Sequence, residues 1–375
     1  MSNKKKYFLF IIISGFCLAA CLNDNIVEPM NFELLNSVEL LVYLENRGDI
    51  YNSIDNPFLV EASELYSNLN SYLIIDIRPN ADFNRGHISE AINLGHSDLL
   101  EYLNTIETNV YSKIVIVSTT GQAASYYTCL LRIYGFDNIY CLQFGMASWH
   151  TDFAGTWLDA IGSTNKLSRF NNIEYPKSES GSFPNLTVNP VSETFESILE
   201  DRITFLLDEN FIDTLHNSTD SRSIHFDNAI QLTEGEYIDG NVYLVCFGHP
   251  SFYRLQQIVE RLVDDEFIRT VDSSGHHPGT VLYSGISPYY ELRSDGFLHT
   301  LPSEKTIVIY SYNGHLSAAA AAYLNLLGYN AKSVLFGGNN MFIIRMTDPE
   351  YHSSVWLNQY VFKIENVANY IYSTN

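Results

Sequence analysis

Cysteine, positive charge and long apolar runs are what this sequence is short of, and each shortage closes a class of function. Five cysteines stand in 375 residues, at positions 17, 21, 129, 141 and 246. That is too few and too scattered for a disulfide framework. No C-x-x-C pair or His/Cys cluster offers a zinc site, so neither a metal nor a cofactor is expected. Lys and Arg number 21 against 43 Asp and Glu, a formal net charge of −22. Such a surface repels a phosphate backbone, which argues against nucleic acid as a partner. Small anions are disfavoured too, except in a locally positive nest. The apolar run near the start, from Tyr7 to about Phe16, is too short for a comfortable membrane span.

What is present points to globular cores. Hydrophobic residues make up 46% of the chain, enough for packed interiors, and the length suits two domains. The 26 tyrosines and 22 phenylalanines read as aromatic-rich cores and surfaces.

The first residues, MSNKKKYFLFIIISGFCLAAC, place three lysines before the apolar run. That is the n-region and h-region of a signal peptide, covering residues 1–20. Leu18-Ala19-Ala20-Cys21 resembles a bacterial lipobox, which implies cleavage before Cys21 and acylation of its thiol. Ordinary signal cleavage beside an incidental cysteine is the alternative. Residues 21–58 read as a tether with an entry helix over 32–46. The expected location is the cell envelope, held by a lipid anchor, at the outer membrane if the source has two membranes.

One unit occurs twice. Lys113–Val117 is a β-branched run, a buried strand. Residues 118–123 form a loop with one glycine. Apolar residues at 127, 130, 131 and 134 then mark one face of a helix, and Gly135 stops it. Near the C-terminus a strand over 305–310, a loop over 311–316, a helix and Gly328 repeat the plan. The interval from loop glycine to cap glycine is 14 residues in both copies, Gly121 to Gly135 and Gly314 to Gly328. Strands alternating with helices predict α/β domains with mostly parallel sheets.

Upstream of the first unit, LIIDIRPNADFNRGHISEAINL ends a strand in Asp76-x-Arg78 and continues into Gly86-His87-Ile88. With these motifs the chain resembles the rhodanese-like family, a sulfurtransferase fold, in tandem. The resemblance implies a first domain over 59–160, a linker over 161–190 rich in Ser, Asn, Gly and Pro, and a divergent second domain over 191–345. A tail, 346–375, follows and is expected to pack on the second domain. In that domain Cys246 and Gly248 align with Asp76 and Arg78, residues 251–266 read as an inserted amphipathic helix, and Gly275-His276-His277-Pro278-Gly279-Thr280 restores the family turn.

The family's loop opens with the catalytic cysteine, three residues before the glycine. Here that place holds Ser118 in one copy and Ser311 in the other. The expected anion loops are Ser118, Thr119, Thr120, Gly121, Gln122 and Ala123, and Ser311, Tyr312, Asn313, Gly314, His315 and Leu316. Their backbone N–H groups, next to a helix N-terminus, would form a nest favouring a thiolate or persulfide. A serine is far less acidic and has no persulfide form. No catalytic residue is therefore expected at either loop, Cys129, Cys141 and Cys246 read as buried inert thiols, and Asp76 with Arg78 reads as a structural ion pair. A cysteine introduced at 118 should find N–H groups converging on it and titrate low. His87 reads as a turn residue, and His315 as no special base, so a serine nucleophile lacks its partner. The favoured function is a membrane-anchored, catalytically degenerate module that binds a protein or a small sulfur-containing ligand. The rival is a thiosulfate or persulfide sulfurtransferase with atypical loops.

Overall fold

The computed structural model describes residues 34–162, 170–187, 194–215, 220–234, 240–254, 256–263, 266–273, 275–287, 290–347 and 358–375. The leader, Cys21 and most of the tether lie outside the described residues. Strand β1 (Leu34–Asn36) precedes helix Ser37–Asn46, so the expected entry helix starts later than residue 32.

The first domain is a five-stranded parallel sheet built from β2 (Leu59–Val60), β3 (Tyr72–Asp76), β4 (Ile92–Asn93), β5 (Lys113–Val117) and β6 (Ile139–Leu142). Its order is β2-β6-β5-β3-β4. The inner strands carry continuous apolar runs, Leu73–Ile75 in β3 and Ile114–Val117 in β5, because both faces are covered. β5 reads KIVIV, with the last four residues buried. The order reverses between β3 and β5, which puts the ends of those strands, Asp76 and Ser118, beside the crevice where α/β sheets bind ligands.

The expected linker is built into the structure where it is described. β7 (Asn185–Thr187) pairs antiparallel with β1, tying the linker to the end of the tether. Asn171 exchanges two backbone hydrogen bonds with His276, at 2.8 and 2.7 Å. The polar composition signalled exposed loops but could not show these partners, which are distant in sequence.

The second domain repeats the first. Its sheet contains β8 (Ser223–Ile224) and β9 (Val242–Phe247). A hairpin of β10 (Gln256–Val263) and β11 (Glu266–Ser273) follows, and then β12 (Val281–Tyr283), β13 (Thr306–Tyr310) and β14 (Asn330–Val334). The sheet order is β8-β14-β13-β9-β12, position for position that of the first domain, and every pairing is parallel. The two α/β domains are thus both rhodanese-like in fold. Helix Phe195–Asp208 leads in, started by a capping box between Thr194 and Ser197.

Two expectations are corrected. Residues 251–266 do not form a helix: after a short turn of helix, Pro250–Arg254, the chain enters the β10–β11 hairpin, paired over eight residues a side. The apolar residues at 258, 259, 262 and 263 fit a helix face. The β-branched Ile258, Val259, Val263, Ile268, Thr270 and Val271, shared between two segments that can pair, favour strands instead. The tail packs on both domains and ends on the first. Phe362 N–H donates to Asn339 Oδ1 at 2.8 Å. The chain then crosses over: Tyr370 N–H donates to the Trp149 carbonyl, Tyr370 stacks on Tyr66, and Ser373 pairs with His87. Trp149 donates its indole N–H to the Ile371 carbonyl at 3.1 Å, so covering a large buried aromatic with a polar edge decides where the tail goes.

The domains share a core. Helix Gln122–Tyr134 of the first packs directly on helix His315–Leu326 of the second, and one hydrophobic cluster runs through both. Five consecutive alanines, 318 to 322, are fully buried on the second of these helices; at 3.6 residues per turn they surround it, so part of the run faces the partner helix and part the rest of the core. Their small side chains let the two backbones come close.

Candidate functional site

Each loop of interest leaves the end of a central strand and starts one of the two packed helices, so the helix pairing buries both. Ser118 is 2% exposed and Ser311 is fully buried.

In the first loop, Ser118 Oγ accepts hydrogen bonds from Gly121 N–H at 3.1 Å and Ala124 N–H at 3.2 Å. The expected convergence of N–H groups on residue 118 is therefore real. The loop also holds an anion of its own. Asp213, from the segment after helix Phe195–Asp208, puts Oδ2 into the nest. That oxygen accepts from Ser118 Oγ at 2.7 Å, Thr120 Oγ1 at 2.9 Å, Thr120 N–H at 3.0 Å and, at 3.5 Å, Ala123 N–H. Asp213 is itself buried. Its segment is sewn to the first domain by Tyr127, whose hydroxyl donates to the Glu209 carbonyl and accepts from Phe211 N–H. A carboxylate stands where a bound oxyanion or thiolate would otherwise be stabilised.

Among the described residues no acid enters the second loop. Ser311 Oγ accepts from Ser317 N–H at 3.0 Å and donates to Ser317 Oγ at 3.2 Å. The loops instead exchange side chains. Gln122 Oε1 accepts the N–H of Phe336 at 2.7 Å, in the second domain, and His315 Nε2 accepts the N–H of Phe144 at 3.1 Å, in the first. Each of these residues follows its loop glycine, and each reaches over the glycine of the other loop. A Cβ on Gly121 would lie 2.6 Å from His315 Nε2, and one on Gly314 would lie 2.0 Å from Gln122 Oε1. Both glycines also hold positive φ, +83° and +87°, so no other residue fits either place.

The remaining expected residues are structural. Asp76 and Arg78 form a buried two-pronged ion pair, with contacts of 2.9 and 2.6 Å, and Arg78 also donates to the Gly86 carbonyl. His87 stacks on Phe83 and places Nδ1 2.9 Å from the Phe83 carbonyl. His315 accepts at Nε2, so its neutral ring carries its proton on Nδ1. Burial pushes its pKa down to about 3. Among the described residues neither serine hydroxyl has a histidine partner: Ser118 donates to the Asp213 carboxylate and Ser311 to Ser317 Oγ, so neither has the serine–histidine pair of a serine nucleophile. Among the described residues no group of His, Cys, Asp or Glu could hold a metal ion.

Comparison with known proteins bears on the first domain. A family model described as "Rhodanese-like domain" matches residues 61–152. Thiosulfate sulfurtransferase GlpE of Shewanella oneidensis is 35% identical over 83 residues, 21% of this chain and 77% of that protein. The chain belongs to the rhodanese-like family. Among solved structures, a rhodanese-related protein from Thermoplasma volcanium matches with 26% identity over 24% of this chain and 89% of its own, with a TM-score of 0.23. A thiosulfate sulfurtransferase from Pseudomonas aeruginosa matches with 14% identity over 80% of this chain and 45% of its own, with a TM-score of 0.27.

In this rhodanese-like protein neither loop contains a cysteine. Cys129, Cys141 and Cys246 are fully buried, and desolvation pushes all three thiols up, that of Cys141 to about 12. The Asp213 carboxylate also bears on the expectation for a cysteine at 118. A thiolate there would lie against the Asp213 carboxylate, and like charge in a buried site raises a thiol's pKa. Asp213 was missed because it lies 95 residues from Ser118 and no local pattern sets it apart.

Two predictions follow from this geometry. Asp213→Ala leaves the Ser118 hydroxyl and the Thr120 donors buried without an acceptor, a loss of about 1–3 kcal/mol. Formate, the size of the missing carboxylate, should restore part of it, raising the variant's melting temperature more than the wild type's. Equal formate effects on both proteins would mean that the nest collapses when the acid is removed. The second concerns His315, whose folded-state pKa lies below its unfolded value of about 6.5. The unfolded chain then binds the extra proton between those values, so stability is full above about pH 6.5 and falls as the pH drops toward 3. His315→Gln, which keeps an acceptor for Phe144, should weaken the loss between pH 6.5 and 5 by on the order of 1–2 kcal/mol. Urea midpoints at the two pH values check this.

Proposed function

We propose that this protein is a catalytically degenerate rhodanese-like pair, held at the cell envelope by an acylated Cys21 and acting as a binding or scaffold module. The observation that carries this reading is the Asp213 carboxylate in the first loop. Sulfur transfer needs a nucleophilic thiolate that takes a sulfane sulfur, and an anion cradle that stabilises it. The loop has serine at its head, and the cradle's donors are already engaged by an internal acid. The second loop has serine as well, fully buried under the first domain. A substrate would have to displace Asp213 and enter between two packed helices, and it would then meet an alcohol.

The family's activity gives the direct test. Incubated with thiosulfate and cyanide, the protein should form no thiocyanate above a heat-killed control. Turnover that Ser118→Ala or Ser311→Ala abolishes would establish catalysis and end the scaffold reading. Anchoring has its own test. The lipobox-like Leu18-Ala19-Ala20-Cys21 supports two or three acyl chains at Cys21, enough for stable attachment. The mature protein should partition into detergent, and Cys21→Ala should release it or block its processing. Fully soluble wild-type protein, cleaved beyond Cys21, would contradict the anchor.

A further inference from the structure

A cavity of about 310 Å³ opens at the far end of helix His315–Leu326 from the loops. Arg202, Arg222, Asn185 and Asn330 line it, and Phe205 forms part of the wall. Arg202 extends from helix Phe195–Asp208 and donates from Nε to the Leu326 carbonyl at 3.3 Å and from Nη2 to the Asn325 carbonyl at 2.5 Å. Arg222 pairs through Nε with Glu209, and its Nη1 donates to Asn330 Oδ1 at 3.2 Å and Asn325 Oδ1 at 3.4 Å. These bonds hold both guanidinium planes at the cavity, and among the described residues Arg202 Nη1 and Arg222 Nη2 have no hydrogen-bond partner.

One charge at this cavity is not matched by an ion pair among the described residues. Among the described residues Arg202 has no carboxylate at ion-pair distance, and the helix end it caps offers only partial negative charge. Burial and the nearby Arg222 both push its pKa down, while Glu209 pushes it up. Lys332 adds a third positive charge within reach of Arg222, and Glu209 and Asp220 are the carboxylates that act on it. Glu209 is already engaged by Arg222. On a chain of net charge −22, gathering cations this closely costs energy that a bound anion would offset.

We propose that this cavity binds a small organic oxyanion. Its carboxylate or sulfonate head would take the two free guanidinium nitrogens, and its short apolar body would lie against Phe205, whose ring is 52% exposed. Paired guanidiniums suit such a head because their planar donors match two of its oxygens. The cavity is several times larger than an inorganic ion needs, and the exposed ring explains the extra room. The site is separate from both loops, so it stands whether or not the chain transfers sulfur.

The test is calorimetric titration of the protein with benzenesulfonate at constant ionic strength, with benzyl alcohol as the uncharged counterpart. Saturable one-to-one binding of the sulfonate and none of the alcohol is expected. Arg202→Gln should weaken binding at least tenfold. Because Arg202 also caps a helix, Asn185→Asp serves as a second variant: the Asn185 side chain makes no hydrogen bond, so the change adds a competing carboxylate without removing a contact. It too should weaken binding at least tenfold, while Arg85→Gln, on the exposed surface of the first domain, should leave it unchanged. Failure of the wild type to bind benzenesulfonate overturns the proposal. So does binding that both Arg202→Gln and Asn185→Asp leave intact, or equal binding of benzyl alcohol.

Discussion

The contact between helices Gln122–Tyr134 and His315–Leu326 governs the rest of the structure. Alanines 318 to 322 permit it, and because each helix begins at its loop, the same contact drives both loops into the interface. Once there, their buried polar groups must be satisfied from across the interface, since water is excluded. Gln122 and His315 do this reciprocally, each accepting a backbone N–H of the other domain. The two glycines are kept free of side chains for the same reason. His315 must also be neutral, because an imidazolium could not accept from Phe144 and would be a buried charge without a partner. Fold, loop conformation and protonation state are therefore coupled through one packing decision.

Serine at 118 and aspartate at 213 make chemical sense only together. A neutral hydroxyl can accept from Gly121 and Ala124 and donate to a carboxylate at the same time. A thiolate could accept those two bonds, but it would repel the acid. The nest thus has one anion to stabilise, and that charge sits on a side chain brought by the other domain rather than at the head of the loop. Tyr127 fixes that side chain's segment through two hydrogen bonds, so the acid is held by structure rather than by chance contact.

Much of this was legible in the sequence. The β-branched runs at 113–117 and 306–310 and the paired glycines gave the strand-loop-helix repeat, because strand, cap and turn chemistry are local. The Asp76–Arg78 pair and the serines at the heads of both loops could be read from single positions. What escaped depends on contacts distant in sequence. Asp213 enters its loop from 95 residues away, and the tail reaches His87 from Ser373. The helix expected over 251–266 and the strands found at 256–263 and 266–273 differ because apolar pairs at 258–259 and 262–263 fit one helix face, while a short strand rich in β-branched residues carries the same residues. Only the presence of the partner strand decides between them. The linker shows the same limit: its composition marks loops, while its order comes from β1 and from His276.

Electrostatics separates the two places where an anion could sit. The first loop offers partial positive charge from N–H dipoles, which act over about one turn, and Asp213 consumes it. The cavity at Arg202 and Arg222 offers whole charges, of which one carboxylate, Glu209, engages a single member. A free anion approaching a −22 protein meets repulsion that is screened beyond about 8–10 Å at moderate salt. Inside that distance the local field decides. A nest already holding a carboxylate adds a like charge to the approach, whereas unshared guanidiniums reverse its sign. An anionic ligand of this protein would accordingly be captured at the helix end farthest from the loops, and the loops would contribute to binding only by keeping the two domains, and hence the cavity's walls, in place.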